Sequence, residues 1–135
     1  MDLKDRMQRA LPQFCDWLGI ELTHASPERI AAEVTVTERV AIETNTIHGG
    51  AIMAIADSLG SLGTIAGLAK GQWTTTLESK TNFFGPAPLG SRIFCESLPL
   101  HRGRRTQVWQ TTLRNAEGKL LAQVTQTQMI LSQPG

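Results

Sequence analysis

The sequence predicts an α+β fold in which one long helix packs on an antiparallel sheet. Three observations predict it. Residues 49–68 form an almost unbroken apolar run carrying one acid, Asp57. From residue 72 onward the chain reads as strands rich in Thr, Val, Phe and Trp, divided by breaks that contain Gly, Pro or Asn. Near the N-terminus, Leu3, Met7, Leu11, Phe14 and Leu18 recur at spacings of three or four, which makes one apolar helical stripe.

Taken in order, the elements follow from local chemistry. Pro12 lies inside the first stripe, so that segment is a kinked helix or two short ones. Residues 20–23 start a strand, and Ser26-Pro27-Glu28 is a turn signal. In residues 29–38, Ile30, Ala32, Val34 and Val36 alternate with their neighbours at the period of a half-buried strand. Residues 39–48 form a loop. The long helix is expected over 49–68, ending near Lys70-Gly71, where a cation and a glycine suit a helix end. Strands are expected over 72–84, 92–101, 105–114 and 119–131. The breaks between them are residues 85–90 (GPAPLG), 102–104 (RGR) and 115–118 (NAEG). Consecutive strands with short turns predict an antiparallel meander. A small sheet with one long helix buries that helix on nearly all sides, in keeping with its apolar circumference.

Composition narrows the function classes. The 135 residues suit one domain, 1–135, and no linker or repeat divides them. Hydrophobic residues at 41% against 19% charged residues exclude a disordered chain. A formal net charge of +1 argues against a nucleic-acid partner, which calls for a basic excess or stripe. Cys15 and Cys95 are far apart, and His24, His48 and His101 are scattered, so neither a metal nor another cofactor is expected. Residues 1–14 mix acids and bases without an apolar core, unlike a signal peptide, and a cytoplasmic location is the default. Residues 51–69 resemble a membrane span with a GxxxG pair at Gly63 and Gly67. Asp57 near the middle would cost about 2.5–3.5 kcal/mol on insertion. The segment is therefore read as a buried helix, with no membrane partner.

The candidate chemistry lies at the start and centre of that helix. Gly49 and Gly50 open it, where unpaired N–H groups and the positive end of the macrodipole can bind an anion or a developing oxyanion. The same glycines would also serve a tight turn before a close-packed helix. Asp57 follows Gly50 by seven residues, about two turns on the same face, and Ser61 by one turn more. A buried carboxylate needs a partner or a cavity, so Asp57 either ties the helix to a loop N–H or lines a site.

His48-Gly49-Gly50, the apolar run, Asp57 nine residues after the histidine and Ser61 one turn later resemble the active-site helix of the hotdog-fold acyl-CoA thioesterases. The similar group is the one containing the phenylacetic-acid-pathway and 4-hydroxybenzoyl-CoA thioesterases. Residues 78–86 (ESKTNFFGP) and the order loop, helix, four strands extend the resemblance over roughly residues 18–132. It implies a helix wrapped by a curved antiparallel sheet. It implies a homodimer with interface sites, one protomer presenting Gly49 and its partner Asp57, and pairing of dimers into a homotetramer. It implies an acyl-CoA substrate whose acyl group lies in an interface tunnel. The Gly49 N–H would polarise the thioester carbonyl with help from Gly50, and His48 would lie beside it. Asp57 would activate water or act as nucleophile, and Ser61 would contact the water or the carboxylate. Asn82 and Phe83 would border the acyl tunnel. Arg102, Arg104 and Arg105 would meet CoA phosphates, unless they form a merely solvated turn.

Two departures stand out. The family often has Asn or Gln six residues before the histidine and Gly three before it, where this chain has Ile42 and Asn45. Asn45 tolerates a left-handed backbone in place of the glycine. Ile42 cannot hydrogen-bond, so Glu43 or Asn45 supplies the polar contact to substrate or the site lacks it. Trp73, Phe83, Phe84 and Trp109 are expected in core or interface, and Trp17 on the first helix. The resemblance implies a thioester hydrolase acting on aryl- or medium-chain acyl-CoA. The alternatives are a non-catalytic acyl-CoA binder, motivated by Ile42, and a structural interaction domain. A dehydratase of the same fold lacks its paired histidine and acid here.

Overall fold

The computed structural model describes residues 1–132. The N-terminal stripe forms two short helices, α1 (Leu3–Ala10) and α2 (Gln13–Leu18). Asp2 caps α1 by accepting the Asp5 N–H at 2.8 Å. Pro12 has no N–H to continue the helix, so the chain breaks there and restarts. The buried stripe is Met7, Leu11, Cys15 and Leu18, whereas Phe14 is exposed. Cys15 rather than Phe14 continues the stripe, since a step of four from Leu11 stays on the same helical face as well as a step of three.

Six strands follow: β1 (Glu21–Ser26), β2 (Arg29–Thr35), β3 (Gln72–Phe83), β4 (Arg92–Arg102), β5 (Thr106–Arg114) and β6 (Leu120–Ser132). Between β2 and β3 runs the long helix α3 (Gly49–Ala66). All strands pair antiparallel in one sheet, in the order β1-β2-β4-β5-β6-β3. Strands β4, β5 and β6 form the expected meander. Strand β3 does not join them in sequence order; it pairs with β6 along the far edge. Residues 84–91, with Pro86 and Pro88, cannot close a tight hairpin. They are stitched instead to the loop before α3, through Ile47 N–H to Ala87 O and Leu89 N–H to Asn45 O, at 2.9 and 2.8 Å.

Helix α3 lies across the inner face of this sheet, the hotdog arrangement. It ends sooner than the sequence pattern implied. Gly67 caps it, its N–H bonding to Thr64 and Ile65 carbonyls, and Lys70 and Gly71 belong to the turn that follows. Nor is it covered on nearly all sides. Ile52, Ile55, Ala56, Leu59, Gly60, Gly63 and Thr64 are buried against the sheet. Met53 and Ile65 are exposed, with Asp57 and Ser61 half-buried between them at four-residue steps. Among the described residues this is the one helix long and apolar enough to cross a membrane, and it serves here as the core helix.

The core changes character along α3. In the same core cluster as Ile52, Ile55, Ala56 and Leu59 of α3 are Ile30, Val34, Ile93, Leu113, Ala122 and Val124, an apolar layer. Each such large aliphatic side chain contributes about 1.5–3 kcal/mol on burial. Beyond that layer the inner face of the sheet carries buried Ser97, Gln107, Thr111, Gln126 and Gln128 beside Trp109. Trp109 is fully buried, as expected, while Trp73, Phe83 and Phe84 are exposed on the protomer. Their indole and phenyl faces are left to any partner that covers the β3 edge.

Candidate active site

The loop before α3 delivers His48 as the N-cap residue. Its backbone is extended, and its N–H donates to Val40 O at 2.7 Å. The His48 Nδ1 accepts the Gly50 N–H at 2.8 Å. That nitrogen is therefore unprotonated, and Nε2 carries the hydrogen of the neutral ring. The Gly50 N–H is thus taken by the imidazole. The Gly49 N–H has no protein acceptor among the described residues, so it is the donor that remains open at the helix start. A Cβ on Gly49 would lie 3.3 Å from Cε1 and Cζ of Phe83, so β3 ends with its phenyl ring against this turn. His48 and Gly50 line a cavity of about 270 Å³ with Phe14, Trp17, Arg39 and Ala51.

Asn45, three residues before His48, has φ +60°, the left-handed backbone that its side chain tolerates. It is exposed, as is Glu43. Ile42 is half-buried, its N–H donating to Thr46 O at 2.8 Å. No side-chain hydrogen bond joins Glu43 or Asn45 to His48 among the described residues.

Asp57 lies eight residues beyond Gly49, about 12 Å along the helix at 1.5 Å per residue. Its Oδ1 is 2.6 Å from Thr76 Oγ1 on β3 and 3.2 Å from Gln126 Nε2 on β6. The same Nε2 lies 3.3 Å from Asp57 O and 2.9 Å from Gln128 Oε1. Gln128 Nε2 donates in turn to Thr74 Oγ1, whose hydroxyl donates to Met129 O. Oδ2 of Asp57 has no protein donor among the described residues. Asp57 and Ser61 share a cavity of about 230 Å³ with Leu11, Pro12, Cys15 and Leu62. The neighbouring Ser58 donates to Ala54 O at 2.8 Å, so its hydroxyl is engaged with its own helix.

The structure therefore brings together Gly49, Gly50, His48 and Phe83 at the helix start, and Asp57 with Ser61 at its centre. His48 and Gly50 line one cavity of the protomer, and Asp57 with Ser61 lines another. Asn82 is exposed on β3, opposite Gln123. Arg102 pairs with Glu28 at 3.4 Å. Arg104 and Arg105 line a surface hollow of about 410 Å³ with Gln72, Met129 and Ile130. Among the described residues no group of three His, Cys, Asp or Glu side chains could hold a metal ion.

Sequence reasoning passed over Thr76, Gln126 and Gln128. A signal for the glutamines is present in residues 123–128 (QVTQTQ). Two-residue alternation in a strand sends Gln126 and Gln128 to one face, and that face is the one that carries Val124 inward.

Comparison with known proteins adds the family. Residues 44–122 match the thioesterase superfamily. The chain is 34% identical over 101 residues to 1,4-dihydroxy-2-naphthoyl-CoA thioesterase 2 of Arabidopsis thaliana, covering 74% of this chain and 63% of that protein. It is 30% identical to the proofreading thioesterase EntH of Klebsiella pneumoniae, over 76% of this chain and 74% of that one. Among solved structures, a thioesterase from Haemophilus influenzae superimposes with a TM-score of 0.88 at 27% identity, covering 98% of this chain and 92% of that one.

Proposed function

This chain belongs to the thioesterase superfamily, and on that premise we propose that it hydrolyses an aryl- or medium-chain acyl-CoA to the free acid and CoA in a site built by two copies of the chain. Thioester hydrolysis is the family's chemistry. The observation that carries the rest is the separation of Gly49 from Asp57. Each is half of a hydrolytic site, yet they sit about 12 Å apart along one helix, with Gly50 and His48 lining one cavity beside the helix start and Asp57 lining another. One thioester can touch both only if a second protomer supplies one of them.

The chemistry is simple. The open Gly49 N–H donates to the thioester carbonyl oxygen and stabilises the negative charge that develops there. Asp57 of the other protomer either takes a proton from water, whose oxygen adds to the carbonyl carbon, or attacks that carbon itself. In both routes the C–S bond breaks, the CoA thiolate leaves and is protonated, and water supplies the oxygen of the free acid. His48 buttresses the helix start by accepting from Gly50. Ser61, whose hydroxyl has no partner among the described residues, stands beside the water. Phe83 borders the acyl group where it meets Gly49, with Asn82 next to it on the rim. The relative named for an aromatic CoA thioester supports acyl-CoA as substrate. Arg104 and Arg105, exposed and free of ion pairs among the described residues, suit its phosphates better than Arg102, which is paired with Glu28.

The dimer contact we assign runs along β3. Among the described residues this strand of twelve has no neighbour on its outer edge, and it exposes Trp73, Leu77 and Phe83. An unpaired edge of that length is a template for another strand. On β4, Phe94 and Leu98 share one exposed face, which suits pairing of dimers into a tetramer.

The test is steady-state hydrolysis of a panel of aryl- and medium-chain acyl-CoA by wild type and Asp57→Ala. The variant should lose about 100-fold or more in kcat. Equal rates for the two proteins would remove Asp57 from the mechanism.

A further inference from the structure

Beyond Asp57 itself, the structure assigns Thr76 and Gln128 a role: together they form a hydrogen-bond toggle that positions the Asp57 carboxylate and follows its change of charge. The inference rests on the reading of Asp57 as the reacting carboxylate. Its basis is one crowded hydroxyl. Thr76 Oγ1 lies 2.6 Å from Asp57 Oδ1 and equally 2.6 Å from Gln128 Oε1. Both neighbours are acceptors, and a threonine has a single hydroxyl hydrogen. Only one of the two bonds exists at a time.

The glutamines cannot resolve the conflict by turning over. Gln126 Nε2 is the atom that faces Asp57 O, Asp57 Oδ1 and Gln128 Oε1. Reversing Gln126 would aim its oxygen at three other oxygens. Gln126 keeps this orientation although its own buried Oε1 has no partner among the described residues. With Gln126 so placed, Gln128 must present Oε1 to it and to Thr76, and Nε2 to Thr74. The orientation of each amide is thereby determined, and the freedom left is rotation of the Thr76 hydroxyl.

That freedom matches the reaction. A carboxylate is the stronger acceptor, so the hydrogen lies on Asp57 Oδ1 while Asp57 is ionised. Gaining a proton from water, or a bond to the acyl carbon, removes that charge. Oδ1 then competes poorly, and the hydrogen rotates to Gln128 Oε1 at the same distance. No proton leaves the network, and no heavy atom needs to move. Oδ1 keeps its contact with Gln126 Nε2 in both states, which leaves Oδ2 as the oxygen turned toward the substrate. Thr76 and Gln128 are positioning residues, since neither is placed to touch the thioester.

The experiment compares wild type, Thr76→Val, Thr76→Ser and Asp57→Ala in hydrolysis of benzoyl-CoA and hexanoyl-CoA, with melting temperatures measured alongside. Valine keeps the shape and removes the hydroxyl. Thr76→Val should lower kcat about tenfold or more with KM changed less than about twofold, the pattern of an interaction that matters in the transition state. Thr76→Ser should recover kcat to within about threefold of wild type, since it restores the hydroxyl. A folded Thr76→Val with wild-type kcat, beside an inactive Asp57→Ala, overturns the toggle and leaves the proposed function standing. An Asp57→Ala as fast as wild type overturns both. Should Thr76→Val melt below the assay temperature, Thr76→Ala decides by the same comparison with Thr76→Ser.

Discussion

Gly60 of α3 sits against the carboxamide of Gln126 on β6. A Cβ built on Gly60 would fall 2.5 Å from Gln126 Oε1 and 2.7 Å from Nε2. Gln126 is fully buried, so its side chain has nowhere to retreat. One turn on, a Cβ on Gly63 would lie 2.6 Å from Cζ2 and Cζ3 of Trp109, also fully buried. Both substitutions to alanine overpack the core, and each should destabilise the protein by about 1–3 kcal/mol. They should differ in function. Gly60→Ala displaces the amide that donates to Asp57, and kcat should fall about tenfold or more. Gly63→Ala displaces an indole that donates to Gln107 and makes no hydrogen bond to Asp57, so kcat at a permissive temperature should fall less than in Gly60→Ala. Chemical denaturation and steady-state kinetics on the two variants check this.

The exposed arginines separate by their partners. Arg104→Ala and Arg105→Ala should each raise KM for acyl-CoA about two- to fivefold at low salt, with kcat unchanged, as expected for exposed charge pairs. The effect should fade in high salt. Arg102→Ala, which breaks only the pair with Glu28, should move KM less. A KM indifferent to all three substitutions and to salt would place the nucleotide elsewhere.

Leu77 tests the assembly. It stands in β3 where the register with β6 slips between Thr76 and Glu78, and it is 55% exposed. A charge at an unpaired edge opposes strand addition. Leu77→Asp should weaken the dimer about tenfold or more in dissociation constant, read by sedimentation velocity. Because the proposed site takes Gly49 from one copy and Asp57 from the other, activity per chain should fall on dilution in step with the loss of dimer. Full activity in a monomeric variant would sink the shared site.

Cys95 predicts an alkaline limb in stability. Burial, with a smaller contribution from the charge of Glu33, pushes its thiol up to about 12 from an ordinary 9.0. The folded protein keeps this proton where the unfolded chain has lost it. The stabilisation is therefore complete below pH 9 and declines as pH rises from 9 toward 12, by about 1.4 kcal/mol per pH unit. The chain has no tyrosine to titrate in the same window. Denaturant midpoints from pH 8 to 11 should show the decline in wild type and a flatter profile in Cys95→Ala.

Much of the fold was legible because it rests on local periodicity. The alternation in β2, the apolar run of α3 and the turn residues 115–118 each depend on neighbours within a few positions. The place of β3 was not legible. Pro86 and Pro88 argue against a tight hairpin to β4, but nothing local says that β3 pairs with β6 instead. The choice depends on the loop at residues 84–91 bonding to residues 45–47, a contact between distant segments. In the candidate site, the glycine start and its acid could be read from spacing along one helix. The group that holds Asp57 could not. Thr76, Gln126 and Gln128 come from two strands that meet only in the folded sheet.

By itself, then, the sequence determined the elements, the family resemblance and the residues of α3 that carry chemistry, because helical spacing and turn chemistry are short-range properties. Only the tertiary structure decided what faces those residues. It put the Gly50 N–H on His48 and left that of Gly49 open. It also placed one threonine hydroxyl between a carboxylate and an amide oxygen. That threonine meets groups 19 and 52 residues away along the chain, and no pattern of neighbours encodes such a distance directly.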